Sequence, residues 1–177
     1  MGSKFVVSDP RKCVGCKACM TACLVKHFQP GDVPISRLNV VHADADTTAP
    51  VVCRHCEDAP CAAACPTGAL YRDGNRVAVD IALCIGCRGC VMACPFGAVD
   101  VAEIFRPYQV NDVELSARTT PVVVKCDRCV DRPEGPACIS ACTSGALSLV
   151  DQRDIDANVR DKRLNAAEAS QTFAARF

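Results

Sequence analysis

Cysteine is the residue type that dominates the chemistry available to this sequence: 16 of its 177 residues are cysteines, and there is no tryptophan. The cysteines form four groups of four with none left over, and each group opens with C-x2-C and closes with C-x3-C. In chain order the groups are Cys13, Cys16, Cys19 and Cys23; Cys53, Cys56, Cys61 and Cys65; Cys84, Cys87, Cys90 and Cys94; and Cys126, Cys129, Cys138 and Cys142. Closely spaced thiolates in fours are metal ligands, so the sequence predicts four metal sites.

The spacing within the groups favours iron–sulfur clusters over zinc. Groups one and three read C-x2-C-x2-C-x3-C, and groups two and three end in Cys-Pro. In proteins with two [4Fe–4S] clusters, the run C-x2-C-x2-C-x3-C-P gives three ligands to one cluster and its fourth cysteine to the other. Two C-x2-C pairs can also bind zinc, but zinc does not require this spacing or the proline. We therefore predict four [4Fe–4S] clusters.

A disulfide scaffold is another structure that a high cysteine content can indicate. Residues 1–13 lack the apolar stretch of a signal peptide, and no apolar run approaches the ~18 residues of a membrane span. We therefore expect a cytoplasmic protein without a membrane span, in a compartment where disulfides are rare. The formal net charge of zero gives no reason to expect a nucleic-acid partner.

A repeated pattern surrounds the fourth cysteine of three groups. Glycine, alanine and an apolar residue follow it at 68–70, 97–99 and 145–147, which predicts a turn and then a short strand. Short helices are predicted just before it, at Ala62–Cys65, Val91–Cys94 and Ile139–Cys142. The segment YRDGNRVAVD has an Asp73-Gly74 turn signal and predicts a hairpin. The fold class expected from this pattern is α+β, built from a small repeated unit.

The connections and the tail have a different composition. Residues 28–50 and 101–121 are rich in Pro, Asp and Thr and predict loops, with short strands at Leu38–Val41 and Val122–Val124. Residues 154–170 favour helix within a tail at 151–177.

The tail has two apolar pairs at helical i, i+4 spacing: Ile155 with Val159, and Phe173 with Phe177. We expect this tail to dock on another subunit, or on a copy of the same chain in a head-to-tail oligomer or filament; a frayed terminus is the alternative.

Histidine offers one candidate for tuning a cluster. His55 lies inside C-R-H-C and is expected either to hydrogen bond near the second group or simply to pack there, whereas His27 and His42 are expected on the surface. The sequence has no Ser-His-Asp arrangement and no nucleotide-binding glycine motif, so we expect a non-catalytic chain.

Two segments carry a resemblance to a known family: CRHCEDAPC at 53–61 and KCDRCVDRPEGPAC at 125–138. With the four motifs in this order, residues 3–150 resemble the four-cluster polyferredoxin subunits of molybdenum and tungsten oxidoreductases. The resemblance implies that groups one and four exchange their fourth cysteines, and that groups two and three do the same. Spacing alone supports the exchange only for groups two and three.

The resemblance thus implies four crossed ligand sets. Set one is Cys13, Cys16, Cys19 and Cys142; set two is Cys53, Cys56, Cys61 and Cys94; set three is Cys84, Cys87, Cys90 and Cys65; and set four is Cys126, Cys129, Cys138 and Cys23. It also implies two interleaved dicluster ferredoxin-like modules, an inner one at 49–119 inserted into an outer one made of 1–48 and 120–150.

The function expected from the resemblance is electron transfer to or from a catalytic molybdenum or tungsten subunit. The compact length and the anchored tail favour a tungsten aldehyde oxidoreductase as the partner. The alternatives are a formate dehydrogenase or hydrogenase complex, a free ferredoxin shuttle, and an accessory protein that delivers clusters.

Basic residues flank the outer groups: Arg11, Lys12, Lys17, Lys125 and Arg128. Acidic residues lie in group two, at Glu57 and Asp58. We infer higher reduction potentials for the outer module, because cations stabilise the reduced cluster; the alternative is that these are ordinary solvated charges.

Overall fold

Short strands and short helices alternate along the chain in the computed structural model, which describes residues 2–29, 34–44, 47–110 and 113–174. The described strands are β1 (Lys4–Ser8), β2 (Asn39–His42), β3 (Thr48–Val51), β4 (Leu70–Asp73), β5 (Arg76–Val79), β6 (Val99–Val110), β7 (Val113–Lys125) and β8 (Leu147–Asp151). The described helices are α1 (Ala18–His27), α2 (Pro60–Ala63), α3 (Gly89–Ala93), α4 (Ala137–Ser140) and α5 (Gln152–Ala174), with a 3-10 turn at Ile81–Leu83. This is the mixed helix and small-sheet content expected of an α+β chain.

The beginning of the chain pairs with the segment that follows the fourth cysteine group. β1 and β8 form an antiparallel pair that runs from Lys4 opposite Asp151 to Ser8 opposite Leu147. The inward side chains Val6 and Leu147 are buried there, which gives this two-stranded sheet an apolar face to pack on the core. Helix α1 packs against α4, so groups one and four are held side by side.

The middle of the chain forms two hairpins. β4 and β5 pair from Leu70 opposite Val79 to Asp73 opposite Arg76, which confirms the predicted hairpin. Helices α2 and α3, from groups two and three, pack against each other beside it.

The prediction of loops at 101–121 was wrong, because β6 and β7 form a long antiparallel hairpin. The prolines suggested a loop, yet Pro107 falls at the register shift between Arg106 and Tyr108. A two-stranded ribbon consists entirely of edge strands, so proline costs it little at a bulge or an unpaired edge. The buried β-branched residues at the base, Val101 and Val123, are typical of a strand.

The predicted strand starts after the Gly-Ala pairs are confirmed: β4 begins at Leu70, β6 at Val99 and β8 at Leu147. The predicted helix bounds were displaced, because α2, α3 and α4 begin earlier and end before the fourth cysteine. At the end of α3, Cys94 already has extended backbone angles, which carries it away from the helix.

The tail forms α5, longer than the predicted span of 154–170. Asp151 accepts a hydrogen bond from the Arg153 backbone N–H at 3.0 Å, so an aspartate caps the helix start. Phe173 lies in α5, and Phe177 lies outside the described residues. No helix in the described part of the chain is both long and apolar enough to cross a membrane.

Candidate metal centres

The third cysteine of every group lies in a helix and is buried: Cys19 in α1, Cys61 in α2, Cys90 in α3 and Cys138 in α4. The C-x2-C pair that precedes each of them lies in a loop. In each group the loop and the start of the helix therefore place three cysteines close together in the chain, so that their thiols can converge on one site. All sixteen thiols are free in the described chain.

The buried side chains divide into two cores, each of which gathers thiols from two groups. Core A joins groups one and four through Cys19, Cys23, Cys126, Cys138 and the adjacent Cys142, and it also contains Cys53. Core B joins groups two and three through Cys61, Cys65, Cys84, Cys90 and Cys94. Thiols that are distant in sequence are thus neighbours in space.

Core A brings the fourth cysteines of groups one and four to the opposite group. Burial raises the pKa of the Cys19 thiol, and the nearby thiol groups of Cys142 and Cys16 raise it further. Burial also raises the pKa of Cys138 to about 12, with added repulsion from Cys23 and Cys129. Cys142 thus lies by Cys19, and both Cys23 and Cys19 lie by Cys138.

Core B places thiols of groups two and three near one another. Burial raises the pKa of Cys61 to about 11, and the thiols of Cys53 and Cys94 add to the shift. A separate small cavity has all four members of set three among its lining residues: Cys65, Cys84, Cys87 and Cys90.

The residues present fit [4Fe–4S] clusters. Buried thiols with raised pKa values are costly as thiolates unless a cation compensates them, and a coordinated metal removes the proton outright. A second sign is a buried nitrogen: His55 Nε2 has no hydrogen-bond partner among the described groups. Buried polar atoms are normally paired, so this unpaired N–H fits a site that has an acceptor when loaded.

The backbone conformation after the fourth cysteine explains why the Gly-Ala pair is repeated. Gly97 and Gly145 have φ values of 59° and 62°, a conformation that favours glycine. The turn aims the next backbone N–H at the thiol: Ala98 donates to Cys94 Sγ at 3.4 Å, and Ala146 donates to Cys142 Sγ at 3.3 Å. Such hydrogen bonds stabilise a thiolate and are one control on cluster potential.

Solvent exposure differs sharply between the sets. Cys16 of set one and Cys87 of set three are exposed, beside exposed Val14 and Ile85. Cys126, Cys129 and Cys138 of set four are buried, as are Cys53 and Cys61 of set two. Cys56 and Cys94 of set two are half-buried, so set four is the most enclosed, and sets one and three each have one exposed thiol.

His27 was predicted on the surface, and this was wrong, because its ring is largely buried between groups one and four. His27 Nδ1 donates to the Cys23 carbonyl at 2.8 Å, and Nε2 donates to Asp127 at 3.1 Å. Burial alone would lower the pKa of His27, but hydrogen bonds with Asp127, Cys129 and Cys23 raise it to about 11. The long-range contact with Asp127 has no sequence signal. His42 is exposed, as predicted.

Asp127 is the centre of this network. Its carboxylate also accepts from Arg37 at 2.7 Å and from the Cys129 backbone N–H at 2.9 Å. Burial alone would raise the pKa of Asp127, but the hydrogen bonds from His27 and Cys129 and the charge of Arg37 hold it well below its usual range. The network ties α1 to the loop of group four.

An Asp127→Asn variant should lower the free energy of unfolding by ~1.5–3 kcal/mol, the usual worth of hydrogen bonds to charged groups. The raised pKa of His27 stabilises the fold fully below pH ~6.5, and that contribution declines as pH rises toward about 11. The deficit of the variant should therefore be largest near pH 6.5 and narrow toward pH ~9. Urea unfolding followed by circular dichroism measures it. Asp131→Asn is the matched control, because Asp131 is an exposed partner of Lys26 and the change should have little effect on stability.

His55 packs as a neutral, fully buried ring, with 0% of its surface exposed. Burial and the charges of Lys125 and Arg128 lower its pKa to about 2. Its Nδ1 accepts from the Val77 backbone N–H at 3.1 Å, so the ring links the CRHC loop to β5. The predicted packing role is therefore present, whereas tuning of the second cluster by a hydrogen bond stays a prediction.

A His55→Leu variant should leave the Val77 N–H buried without an acceptor and cost ~1–3 kcal/mol of unfolding free energy. The urea midpoint for loss of visible cluster absorbance should fall accordingly. His42→Leu, the same change at an exposed histidine, should stay within ~0.5 kcal/mol. Equal midpoints for the two variants would show that the His55–Val77 bond is not stabilising.

Comparison with known protein families finds matches to iron–sulfur domains over most of the chain. Residues 45–152 match one family described as 4Fe-4S dicluster domain, and residues 12–70 match a second family with the same description.

Three curated relatives come from Escherichia coli (strain K12). Electron transport protein HydN is 40% identical over 174 residues, which cover 93% of this chain and 98% of HydN. Formate hydrogenlyase subunit 2 is 36% identical over 91% of this chain and 88% of its own length. Hydrogenase-4 component A is 36% identical over 93% of this chain and 91% of its own length.

Proposed function

Because this chain belongs to the 4Fe-4S dicluster domain family, we propose that it relays electrons through four [4Fe–4S] clusters to or from a catalytic oxidoreductase subunit. The family implies 4Fe-4S clusters, and the relatives are named electron transport proteins or hydrogenase and formate hydrogenlyase components. The observation that carries the proposal is the convergence of thiols from distant groups in the two cores. When bound, each cluster would accept and release one electron.

The crossed sets are the proposed ligands. The neighbours of Cys19 and Cys138 support sets one and four, and those of Cys61 support set two. The cavity lined by Cys65, Cys84, Cys87 and Cys90 supports set three.

We propose the order of the relay as set one, set four, set two and set three. Cys138 of set four lies near Cys19 of set one, and Cys126 of set four lies near Cys53 of set two. Cys61 and Cys94 of set two share core B with three thiols of set three. This order puts the exposed Cys16 and Cys87 at its two ends, where electrons would enter and leave.

Interleaving of two ferredoxin-like modules is the corresponding proposal for the fold. The pairing of β1 with β8 and the packing of α1 on α4 support an outer module of 1–48 and 120–150. The packing of α2 on α3 supports an inner module at 49–119.

For the partner enzyme, the relatives favour a formate dehydrogenase or hydrogenase complex over the tungsten aldehyde oxidoreductase that was expected first. Formate hydrogenlyase subunit 2 and hydrogenase-4 component A point to a formate dehydrogenase or hydrogenase complex, and none of the three relatives described above is named as a tungsten aldehyde oxidoreductase component. Anaerobic purification of the tagged chain from its own cells tests this. We expect a molybdenum or tungsten enzyme, or a hydrogenase, to copurify; recovery of the chain alone would favour the free shuttle. A cytoplasmic location stays a prediction.

Docking of α5 on a partner, or on a second copy, is also proposed. Ile155 and Val159 lie on one face of the helix and are 36% and 38% exposed. A Val159→Glu variant should weaken the association by at least tenfold, measured as complex size by gel filtration. Leu164→Glu places the same charge about 140° around the helix and should leave the complex intact. An unchanged complex in the Val159→Glu variant would contradict docking through this face.

A further inference from the structure

A buried lysine stands between the two cores. Lys125, the last residue of β7, is 3% exposed. Its Nζ donates to the Val77 carbonyl at 2.7 Å and to the Cys126 carbonyl at 2.8 Å. Both acceptors are neutral, and among the side chains that the structure describes no carboxylate lies at ion-pair distance from Nζ. The alternative that Lys125 is an ordinary solvated charge was therefore wrong.

The position of Lys125 gives its charge access to thiols of both cores. It favours the thiolate of Cys61 in core B and that of Cys126 in core A, opposing the effect of burial at each. Cys126 is in turn close to Cys53 of set two. Lys125 thus lies at the contact between sets two and four, in the middle of the proposed relay.

A buried cation without a counter-ion is costly, because the protein interior screens and solvates charge poorly. The neighbouring carboxylate, Asp127, is bound by Arg37 and His27. The proposed clusters of sets two and four have a net negative charge that becomes more negative by one when an electron arrives. These clusters would supply the negative charge near Lys125 that the described side chains lack.

We propose that Lys125 raises the reduction potentials of the second and fourth clusters, and so keeps the middle of the relay accessible to electrons. The inference rests on the proposed function. One electron leaves one cluster and reduces the next, with no bond made or broken. Its charge stabilises the reduced state of whichever neighbour holds the electron.

The sequence contains its own control for this role. Lys12 precedes the first cysteine of group one just as Lys125 precedes that of group four, but Lys12 is exposed. Val52 and Leu83 hold the same place before groups two and three. Solvent screens the charge of Lys12, so position relative to the cysteine motif is matched while burial differs.

The test compares Lys125→Met with Lys12→Met in the full chain, purified anaerobically with its clusters. Iron and sulfide are counted first, and midpoint potentials are then measured by EPR-monitored redox titration. We expect two of the four midpoint potentials to be lower in Lys125→Met by at least about 59 mV. For one-electron reduction this is a tenfold change in the equilibrium constant. Lys12→Met should move none of them by that much. Four unchanged potentials, or an equal shift of all four, would overturn the inference.

Two further variants cover the case in which Lys125→Met loses its clusters. Lys125→Gln keeps a donor for the two carbonyls without the charge, and Lys125→Arg keeps the charge. Lowered potentials or cluster loss in the glutamine variant, with neither in the arginine variant, support the inference. The same change in both variants means that the position acts through packing and overturns it. An unaltered chain without iron would instead refute the proposed function.

Discussion

A Cys142→Ala variant loses the cluster of the first cysteine group, at the opposite end of the sequence, and retains the cluster of its own group. The reason is that Cys142 lies in core A next to Cys19, and β8 behind it is paired with the strand that precedes group one. Removing one thiolate from a four-ligand site exposes a cluster to loss. Iron should fall from about sixteen to about twelve atoms per chain, with one EPR signal missing.

Double variants identify the partner of Cys142. Cys19→Ala with Cys142→Ala removes two ligands of one set, so iron should stay near about twelve atoms. Cys138→Ala with Cys142→Ala removes one ligand from each of two sets, so iron should fall to about eight. Ser144→Ala, a neighbour whose hydroxyl contacts Cys142 Sγ at 3.6 Å, is the control and should keep all the iron. The reverse order of the two double variants would refute the crossed pairing.

Removal of iron and sulfide should unfold most of the chain. Eight of the 26 buried apolar residues in the described chain are cysteines: Cys19, Cys23, Cys53, Cys61, Cys90, Cys126, Cys129 and Cys138. Phe5 is the only buried aromatic among the side chains that the structure describes. Aromatic residues usually supply much of a core's buried area, so without metal this core has little to hold it.

Circular dichroism before and after chelation under reducing conditions measures this effect. The apo chain should lose most of its secondary structure signal and show no cooperative melting, and reconstitution with iron and sulfide should restore both. Buffer treatment without the chelator is the control. A native-like apo spectrum with a cooperative transition would show that the polypeptide folds without its clusters.

The sequence predicted the parts of the site that depend on local spacing. The four cysteine groups, the strand starts at Leu70, Val99 and Leu147, and the tail helix all follow from short patterns. Each is encoded within one continuous stretch of sequence, and the glycine turns are encoded at single positions.

The sequence did not predict the features that depend on contacts between distant segments. A charged or titratable side chain is expected at the surface, but the His27 ring is covered because α1 meets the group-four loop. Lys125 is buried because β7 ends between two cores. The β6–β7 hairpin was missed because its prolines lower strand propensity, whereas pairing along the ribbon depends on the whole register. Charge and pairing of this kind become visible only once the chain is folded.

The most direct test of the account is a count of iron and acid-labile sulfide in the unaltered chain, purified without oxygen. Sixteen cysteines in four sets predict about sixteen iron atoms and about sixteen sulfides per chain, with EPR signals of [4Fe–4S] clusters after reduction. About four zinc atoms per chain with no labile sulfide would contradict the electron-relay function and make the four sites structural.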